Sequence, residues 1–180
     1  MTFLKTTEDA NSDLANYARL FTLRPNVYEA WQVLAAAAHE GMDERRYELV
    51  TLAAARALKS SYCGLAHGKT LREKFYDTET VQAIAVKHDE AGLDPADIAI
   101  MDFAGKVVRN APGITQADVN GLREHGLSDD DIFQIILTVG IRCFFSTVLD
   151  AAGAEPDAAY RDSIEPALQQ ALTFGRPIER

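Results

Sequence analysis

A three-residue pattern that marks the end of one helix and the start of the next recurs four times in this chain. Each copy is a glycine, an apolar residue and a residue with a capping oxygen: Gly41-Met42-Asp43, Gly92-Leu93-Asp94, Gly113-Ile114-Thr115 and Gly126-Leu127-Ser128. Glycine accepts the left-handed conformation that ends a helix. Asp, Thr or Ser then accepts hydrogen bonds from the free amides of the next helix. The pattern therefore predicts helices joined by short turns.

Apolar spacing between these turns predicts nine helices. Their ranges are about 12–23, 26–39, 43–58, 61–75, 78–90, 95–110, 116–125, 129–151 and 157–172. No segment sustains the alternation that a half-buried strand requires, so strands are not expected. The predicted fold class is all-α, a multi-helix bundle. A length of 180 residues favours a single domain over residues 1–180.

Charge and hydropathy exclude some function classes. Lys and Arg total 18 against 27 Asp and Glu, and no basic cluster stands out, so we expect neither a nucleic-acid groove nor a membrane-binding patch. The most apolar stretch, 132–154, carries Gln134, Arg142 and Asp150, which predicts a buried helix rather than a membrane span. The first residues lack the apolar segment of a signal peptide. We therefore expect a cytoplasmic protein with reduced cysteines.

The segment LKSSYCGLAHG, residues 58–68, places a cysteine and a histidine four residues apart. On a helix, Cys63 and His67 then share one face and can touch. Ser60 or Ser61 is a natural N-cap, which puts Cys63 in the first turn of the helix. The exposed amides and the helix dipole there favour an anion. Because the thiolate is the nucleophilic form of cysteine, this position is suited to a reactive sulfur.

Glu48 is the candidate third member of this group. It precedes the turn at Lys59–Ser60 by about the same depth as His67 follows it. In an antiparallel helix pair, the carboxylate and the ring would therefore face each other. A buried carboxylate needs such a partner. The prediction is a relay in which Glu48 orients His67 and His67, directly or through water, takes the proton of Cys63.

Other interpretations of the same residues remain open. A Cys four residues before a His is often a packing pair, and Glu48 taken alone is typical of a solvated helix face. Tyr62 can donate a proton, but a tyrosine there also serves as a packing residue. Cys143 is expected to be a buried small hydrophobe. Too few Cys and His lie nearby for a structural zinc site, and we expect neither a metal nor a cofactor.

The segment ELVTLAAARALKSSYCGLAHG, residues 48–68, resembles the signature of the alkylhydroperoxidase D-like and carboxymuconolactone decarboxylase superfamily. That signature is a glutamate followed about a dozen residues later by Cys-x-x-Cys-x-x-x-His. The segment TVLDAAGAEPD, residues 147–157, resembles the peroxidase-related branch. The resemblance covers about residues 15–170. It implies an all-α fold, a homo-oligomer (a trimer or hexamer), and a site near subunit contacts.

The resemblance also implies residue roles. Cys63 matches the peroxide-attacking cysteine, and His67 and Glu48 match the residues that relay its proton. Tyr62 stands inside the motif, where some members have histidine. Ser60 occupies the position of the first cysteine, which in the family resolves the oxidised sulfur as a disulfide. Since serine cannot do so, an external thiol reductant or Cys143 would have to serve, or peroxide turnover would be weak and the real reaction elsewhere.

Three functions follow from these residues. The first is a thiol-dependent peroxidase-like redox protein that reduces small hydroperoxides through Cys63. The second is acid–base chemistry on a small organic acid or lactone, with His67 and Glu48 as the working groups. The third is a non-catalytic oligomeric protein that keeps the fold.

Overall fold

Ten α-helices make up most of the computed structural model, which describes residues 2–6 and 13–180. They are α1 (Asn16–Phe21), α2 (Pro25–His39), α3 (Glu44–Leu58), α4 (Ser61–Lys74), α5 (Thr78–Lys87), α6 (Pro95–Asn110), α7 (Gln116–Glu124), α8 (Asp129–Ala151), α9 (Tyr160–Ser163) and α10 (Pro166–Leu172). Short 3-10 turns follow α5 and α6 at His88–Glu90 and Ala111–Gly113. No strand occurs in the described residues, and the predicted all-α class is confirmed.

The glycines of the repeated pattern end helices at three of the four places. Gly41, Gly92 and Gly126 have φ of 81°, 75° and 86°, the left-handed region that suits glycine. Gly113 differs, because it is itself the last residue of the 3-10 turn after α6 and does not have a positive φ. The left-handed residue that ends α3 is Lys59, with φ of 56°.

Side-chain caps begin several of the following helices. Asp43 accepts a hydrogen bond from the Arg46 amide at 2.9 Å. Thr115 and Ser128 each form a reciprocal capping box with the Asp three residues later. Asp94 makes no side-chain cap, although Pro95 occupies the first position of α6 as predicted. Most predicted boundaries therefore lie within about two residues of those in the structure.

The prediction of one helix over 157–172 is wrong. Two shorter helices, α9 and α10, occupy this range, and Ile164 and Glu165 between them are extended. Pro166 is the physical reason, because its ring disfavours a helical conformation in the preceding residue. The first helix begins at Asn16 rather than at about 12, and residue 12 lies outside the described residues.

α3 lies at the centre of the bundle and packs against α4, α6 and α8. Its residues 48–55 are all buried. α8 is long and apolar enough to cross a membrane by length and composition, but half of that stretch is buried and it packs on α2, α3 and α6. This matches the prediction of a buried core helix. The single-domain boundaries, 1–180, stay a prediction.

Two glycines on α4 allow α10 to lie directly on that helix. A Cβ at Gly64 would lie 2.7 Å from the backbone oxygen of Leu172, and one at Gly68 would lie 2.5 Å from the Leu172 side chain. The motif Cys-Gly-Leu-Ala-His-Gly thus has two faces. Its glycines contact α10, while Cys63 and His67 face α8.

Candidate active site

Cys63 and His67 meet two polar residues of α8 that have the same spacing. Arg142 and Ser146 lie one turn apart on α8, as Cys63 and His67 do on α4. The hydroxyl of Ser146 donates to the Cys63 sulfur at 3.1 Å. The guanidinium of Arg142 donates to Nε2 of His67 at 3.0 Å. The two helices therefore present matched pairs, Cys63 with Ser146 and His67 with Arg142.

Glu48 contacts the other nitrogen of the His67 ring. The distance from His67 Nδ1 to Glu48 Oε2 is 2.6 Å. An arginine can only donate, so Nε2 must accept the bond from Arg142 and the proton of the neutral ring lies on Nδ1. The Nδ1–H group then donates to the Glu48 carboxylate. The result is a continuous chain from Glu48 through His67 to Arg142.

Burial lowers the pKa of His67 below its ordinary value of 6.5. The Glu48 carboxylate acts in the opposite direction, and the charge of Arg142 lowers the pKa further. The neutral ring is thus the preferred form at pH 7. In this conformation the lone pair on Nε2 accepts from Arg142, and the described residues show no direct hydrogen bond between His67 and Cys63. The relay to Cys63, directly or through water, stays a prediction.

Arg142 is a buried cation, only 4% exposed. Its guanidinium carbon lies 5.2 Å from the centre of the Trp31 ring and 5.5 Å from that of Phe145. These two rings stack with centroids 4.3 Å apart. Cation–π contacts and the hydrogen bond to His67 therefore hold the guanidinium in place.

Cys63 occupies the first turn of α4, as the sequence predicts, but it is buried at 2% exposure. Ser60 stands at the N-cap position and is fully buried, yet its side chain does not cap the helix. The hydroxyl of Ser61 accepts a hydrogen bond from the Gly175 amide at 2.8 Å. Neither serine therefore provides the side-chain cap that the sequence predicted.

Tyr62 is tied to the N-terminal part of the chain rather than to the thiol. Its hydroxyl donates to Asp157 Oδ2 and accepts from the Tyr17 amide at 3.4 Å. The other oxygen of Asp157 accepts from the amide of Asn16 at 2.7 Å. Burial, followed by the Asp157 carboxylate, raises the pKa of Tyr62 well above its usual range. Tyr62 is therefore a neutral phenol that anchors α1 to α4.

Cys143 lies apart from Cys63. It is half-buried and packs against the main hydrophobic cluster, whereas Cys63 belongs to a second cluster. Burial raises the pKa of the Cys143 thiol. No disulfide joins the two cysteines.

A cavity of about 410 Å³ approaches the site from the side of α9. Ala66, Lys69, Asp157 and Tyr160 are among its lining residues, while Cys63 is not. Tyr160 also packs against the hydrophobic cluster that contains Cys63, so this residue contacts both the cavity and that cluster. Among the described residues, no group of three or more His, Cys, Asp or Glu is placed to hold a metal ion.

Sequence reasoning missed Arg142 and Ser146 as members of the site. The available signal was two polar residues one turn apart inside the apolar run of α8, the same spacing as Cys63 and His67. Trp31 was also missed as a residue near the site. Its contact with Arg142 depends on how α2 crosses α8, which the local pattern does not encode.

The fold and the site define a class: an all-α protein with a buried thiol beside a glutamate–histidine–arginine chain. No protein-family model matches the sequence, and no curated protein matches it. Solved structures do match. They include alkylhydroperoxidase D-like and peroxidase-related proteins, which supports the alkylhydroperoxidase D-like and carboxymuconolactone decarboxylase superfamily that the sequence resemblance indicated.

Two of the similar structures are uncharacterized peroxidase-related proteins. The one from Ralstonia eutropha JMP134, an alkylhydroperoxidase AhpD core, has a TM-score of 0.75 and 25% identity, over 82% of this chain and 79% of that one. The one from Silicibacter sp. TM1040 has a TM-score of 0.74 and 25% identity, over 81% and 78%. A third, a cysteine-to-alanine variant of the debrominase Bmp8 with 2,3,4-tribromopyrrole, has a TM-score of 0.70 and 16% identity, over 83% and 81%. That third likeness shows the fold alone.

Proposed function

We propose that the protein is a thiol-dependent peroxidase that reduces small hydroperoxides through Cys63. The observation that carries this proposal is the matched pairing of α4 with α8. It puts a hydroxyl donor on the sulfur and a fixed cation one turn away, beside a histidine that is itself oriented by a carboxylate. The similarity to peroxidase-related proteins supports the same reaction class.

In the first step, the Cys63 thiolate attacks the terminal oxygen of the hydroperoxide. A sulfur–oxygen bond forms as the oxygen–oxygen bond breaks, so sulfur loses two electrons and becomes a sulfenic acid. The departing alkoxide takes a proton and leaves as an alcohol. Ser146 is the hydroxyl nearest the sulfur and is the proposed route for that proton.

Arg142, His67 and Glu48 act as a positioning chain in this proposal. The positive charge of Arg142 is held one turn along α8 from Ser146, where it stabilises negative charge that develops near the sulfur. His67 holds the guanidinium through Nε2, and Glu48 holds the ring through Nδ1. Tyr62 and Ser60 support the site, Tyr62 by anchoring α1 and Ser60 by beginning α4.

Substrate size follows from the burial of the sulfur. Cys63 is buried in this conformation and does not line the nearby cavity, whereas Tyr160 lines the cavity and packs against the cluster that contains Cys63. We propose that a small hydroperoxide enters from this cavity when the Tyr160 ring moves. Hydrogen peroxide and short alkyl hydroperoxides fit this route better than bulky lipid hydroperoxides.

The reductant in this proposal is an external thiol. Ser60 cannot resolve the sulfenic acid, and Cys143 packs in a different cluster from Cys63. One thiol condenses with the sulfenic acid, releasing water and forming a mixed disulfide with Cys63. A second thiol then releases the Cys63 thiol and departs as part of a disulfide.

The direct test measures peroxide consumption with dithiothreitol as reductant. Cys63→Ser should lower the rate by about 100-fold or more, because it removes the nucleophile. Cys143→Ser is the matched control and should keep the wild-type rate. Dimedone trapping followed by mass spectrometry should label Cys63. Wild-type activity in Cys63→Ser, or dimedone on Cys143 alone, would contradict the proposal.

The same variants separate the two other functions. Acid–base chemistry on a small organic acid or lactone would survive Cys63→Ser and be lost in His67→Gln. The lone pair of His67 that such chemistry needs is occupied by Arg142 in this structure, which favours the thiol reaction. A non-catalytic role predicts no turnover with any substrate class and an unchanged assembly in Cys63→Ala.

Self-association and location are further proposals. The resemblance implies a trimer or hexamer, and large apolar side chains are exposed on α2 (Val33, Leu34) and on α8 (Phe133, Leu137, Phe144). We propose that these surfaces contact other copies of the chain. Light scattering during size-exclusion chromatography measures the assembly, and a monomer at micromolar concentration would contradict it. We also propose a cytoplasmic location, because the first residues lack the apolar segment of a signal peptide.

A further inference from the structure

A second cleft lies on the other side of α3, between α3, α5 and α6. Its volume of about 360 Å³ falls in the range of small-molecule sites. The floor is apolar and is made by Leu52, Ala53, Ile84 and Met101. Four side chains with charged or ionisable groups stand around it: Arg56, Arg109, His88 and Asp102. It shares no residue with the site around Cys63.

The two arginines of this cleft have no partner. Within residues 2–6 and 13–180, neither the Arg56 nor the Arg109 side chain makes a hydrogen bond or an ion pair. Some other arginines on the bundle surface are paired, as Arg46 is with Asp131 and Arg123 with Asp129. In a chain with a net charge of −9, carboxylates are abundant, yet these two guanidinium groups on one cleft are left without one, so their hydrogen-bond donors are available to an anion.

Gly105 fixes the position of Arg109. A Cβ at Gly105 would lie 2.9 Å from Nη1 and 3.4 Å from Nη2 of Arg109. The guanidinium therefore occupies the space that a side chain at 105 would fill, and it lies against the cleft rather than extending into solvent. Glycine is unfavourable inside a helix, but at position 105 it leaves room for the Arg109 guanidinium.

His88 and Asp102 set the charge balance of the cleft. Nε2 of His88 lies 3.0 Å from Oδ1 of Asp102. Asp102 repels an anion, but one carboxylate stands against two guanidinium groups, so these three side chains carry an excess of one positive charge. This balance suits a ligand with a single negative charge.

We propose that this cleft binds a small organic monocarboxylate. The carboxylate lies between Arg56 and Arg109, which can donate paired hydrogen bonds to its two oxygens. The short apolar body of the ligand covers Leu52 and Met101 on the floor. That apolar floor has no use in binding inorganic phosphate, which favours an organic anion.

Isothermal titration with benzoate tests this proposal on the intact protein. Wild type should bind benzoate with a Kd below about 1 mM in low-salt buffer, and binding should weaken as sodium chloride is added. Benzamide has the same shape without the charge, and it should bind at least about tenfold more weakly. Arg56→Gln and Arg109→Gln should each weaken benzoate binding by about tenfold or more.

Arg180→Gln is the control, because it makes the same charge change at a residue that does not line the cleft. It should leave the benzoate affinity within about twofold of wild type. Gly105→Ala keeps both arginines but displaces the Arg109 guanidinium, and it should also weaken binding. The proposal is overturned if wild type does not bind benzoate, if the two cleft variants bind as Arg180→Gln does, or if phosphate binds as tightly as benzoate. Peroxide consumption is measured separately and does not decide this result.

Discussion

The described part of the chain contains two histidine–carboxylate pairs near arginine, and they differ in the surroundings of the imidazole ring. The His67 and His88 side chains are equally covered, at 15% exposure each. Their carboxylates differ, because Glu48 is 8% exposed and Asp102 is 67% exposed. In the buried pair, an arginine donates directly to the ring; in the exposed pair, two arginines stand unpaired beside it.

The difference shows how burial decides what an arginine can do. A buried cation must find its partner inside the protein, because an unpaired charge there costs several kcal/mol. Arg142 therefore binds His67 and two aromatic rings, and it serves the site as a fixed charge. Solvent already stabilises Arg56 and Arg109, so their hydrogen-bonding groups remain available to a ligand.

The largest effect that this comparison predicts is on stability. Arg142→Ala should destabilise the fold by about 3 kcal/mol, because it removes the cation from the buried hydrogen-bonded chain that runs through His67 to the Glu48 carboxylate. Arg109→Ala should change stability by less than about 0.5 kcal/mol, since it is an exposed and unpaired residue. Urea unfolding of both variants measures the two changes in the free energy of unfolding. Equal losses in the two variants would mean that burial does not separate these arginines.

Substituting one glycine near the Cys63 site and one in the second cleft compares how tightly the two regions are packed. Gly64→Ala should destabilise the protein by about 2 kcal/mol, because its Cβ meets the backbone oxygen of Leu172, which cannot move alone. Gly105→Ala meets only the mobile end of Arg109, so it should be neutral or stabilising by up to about 1 kcal/mol. Thermal unfolding of the two variants gives the sign. A destabilised Gly105→Ala protein would show that the cleft is packed more rigidly than this account holds.

The smallest predicted effect is on the pH dependence of stability. Burial lowers the pKa of His67 in the folded state below its unfolded value of 6.5, so the unfolded chain binds more protons between these two values. The contribution of His67 to the free energy of unfolding is fully present above pH 6.5. It is lost as the pH falls through the folded-state pKa of His67. The slope is at most about 1.4 kcal/mol per pH unit. His67→Gln should flatten the urea-unfolding profile in that window, and an unchanged slope would contradict it.

Local sequence predicted the parts of the structure that depend on neighbouring residues. The caps at Asp43, Thr115 and Ser128 predicted helix starts because each bonds an amide within three residues. Cys63 and His67 share a helix, so their common face followed from spacing alone. The contact of Glu48 with His67 needed only one short turn between antiparallel helices.

Local sequence patterns did not predict contacts between segments that are distant in the chain. Arg142 lies 75 residues from His67, and Asp157 lies 95 residues from Tyr62. Their pairing depends on the register of packed helices, which no local pattern fixes. The break between α9 and α10 is different, because a local residue predicts it. Pro166 disfavours a helical conformation at residue 165, although the apolar spacing of 157–172 favours one continuous helix.

The central claim is that His67 is neutral and held between Glu48 and Arg142. A long-range ¹H–¹⁵N correlation spectrum at pH 7 reports which ring nitrogen carries the proton, and the His67→Gln spectrum identifies the signal. This account predicts a neutral His67 ring protonated on Nδ1, with an unprotonated Nε2 that accepts from Arg142. A ring protonated on Nε2, or on both nitrogens, would contradict it.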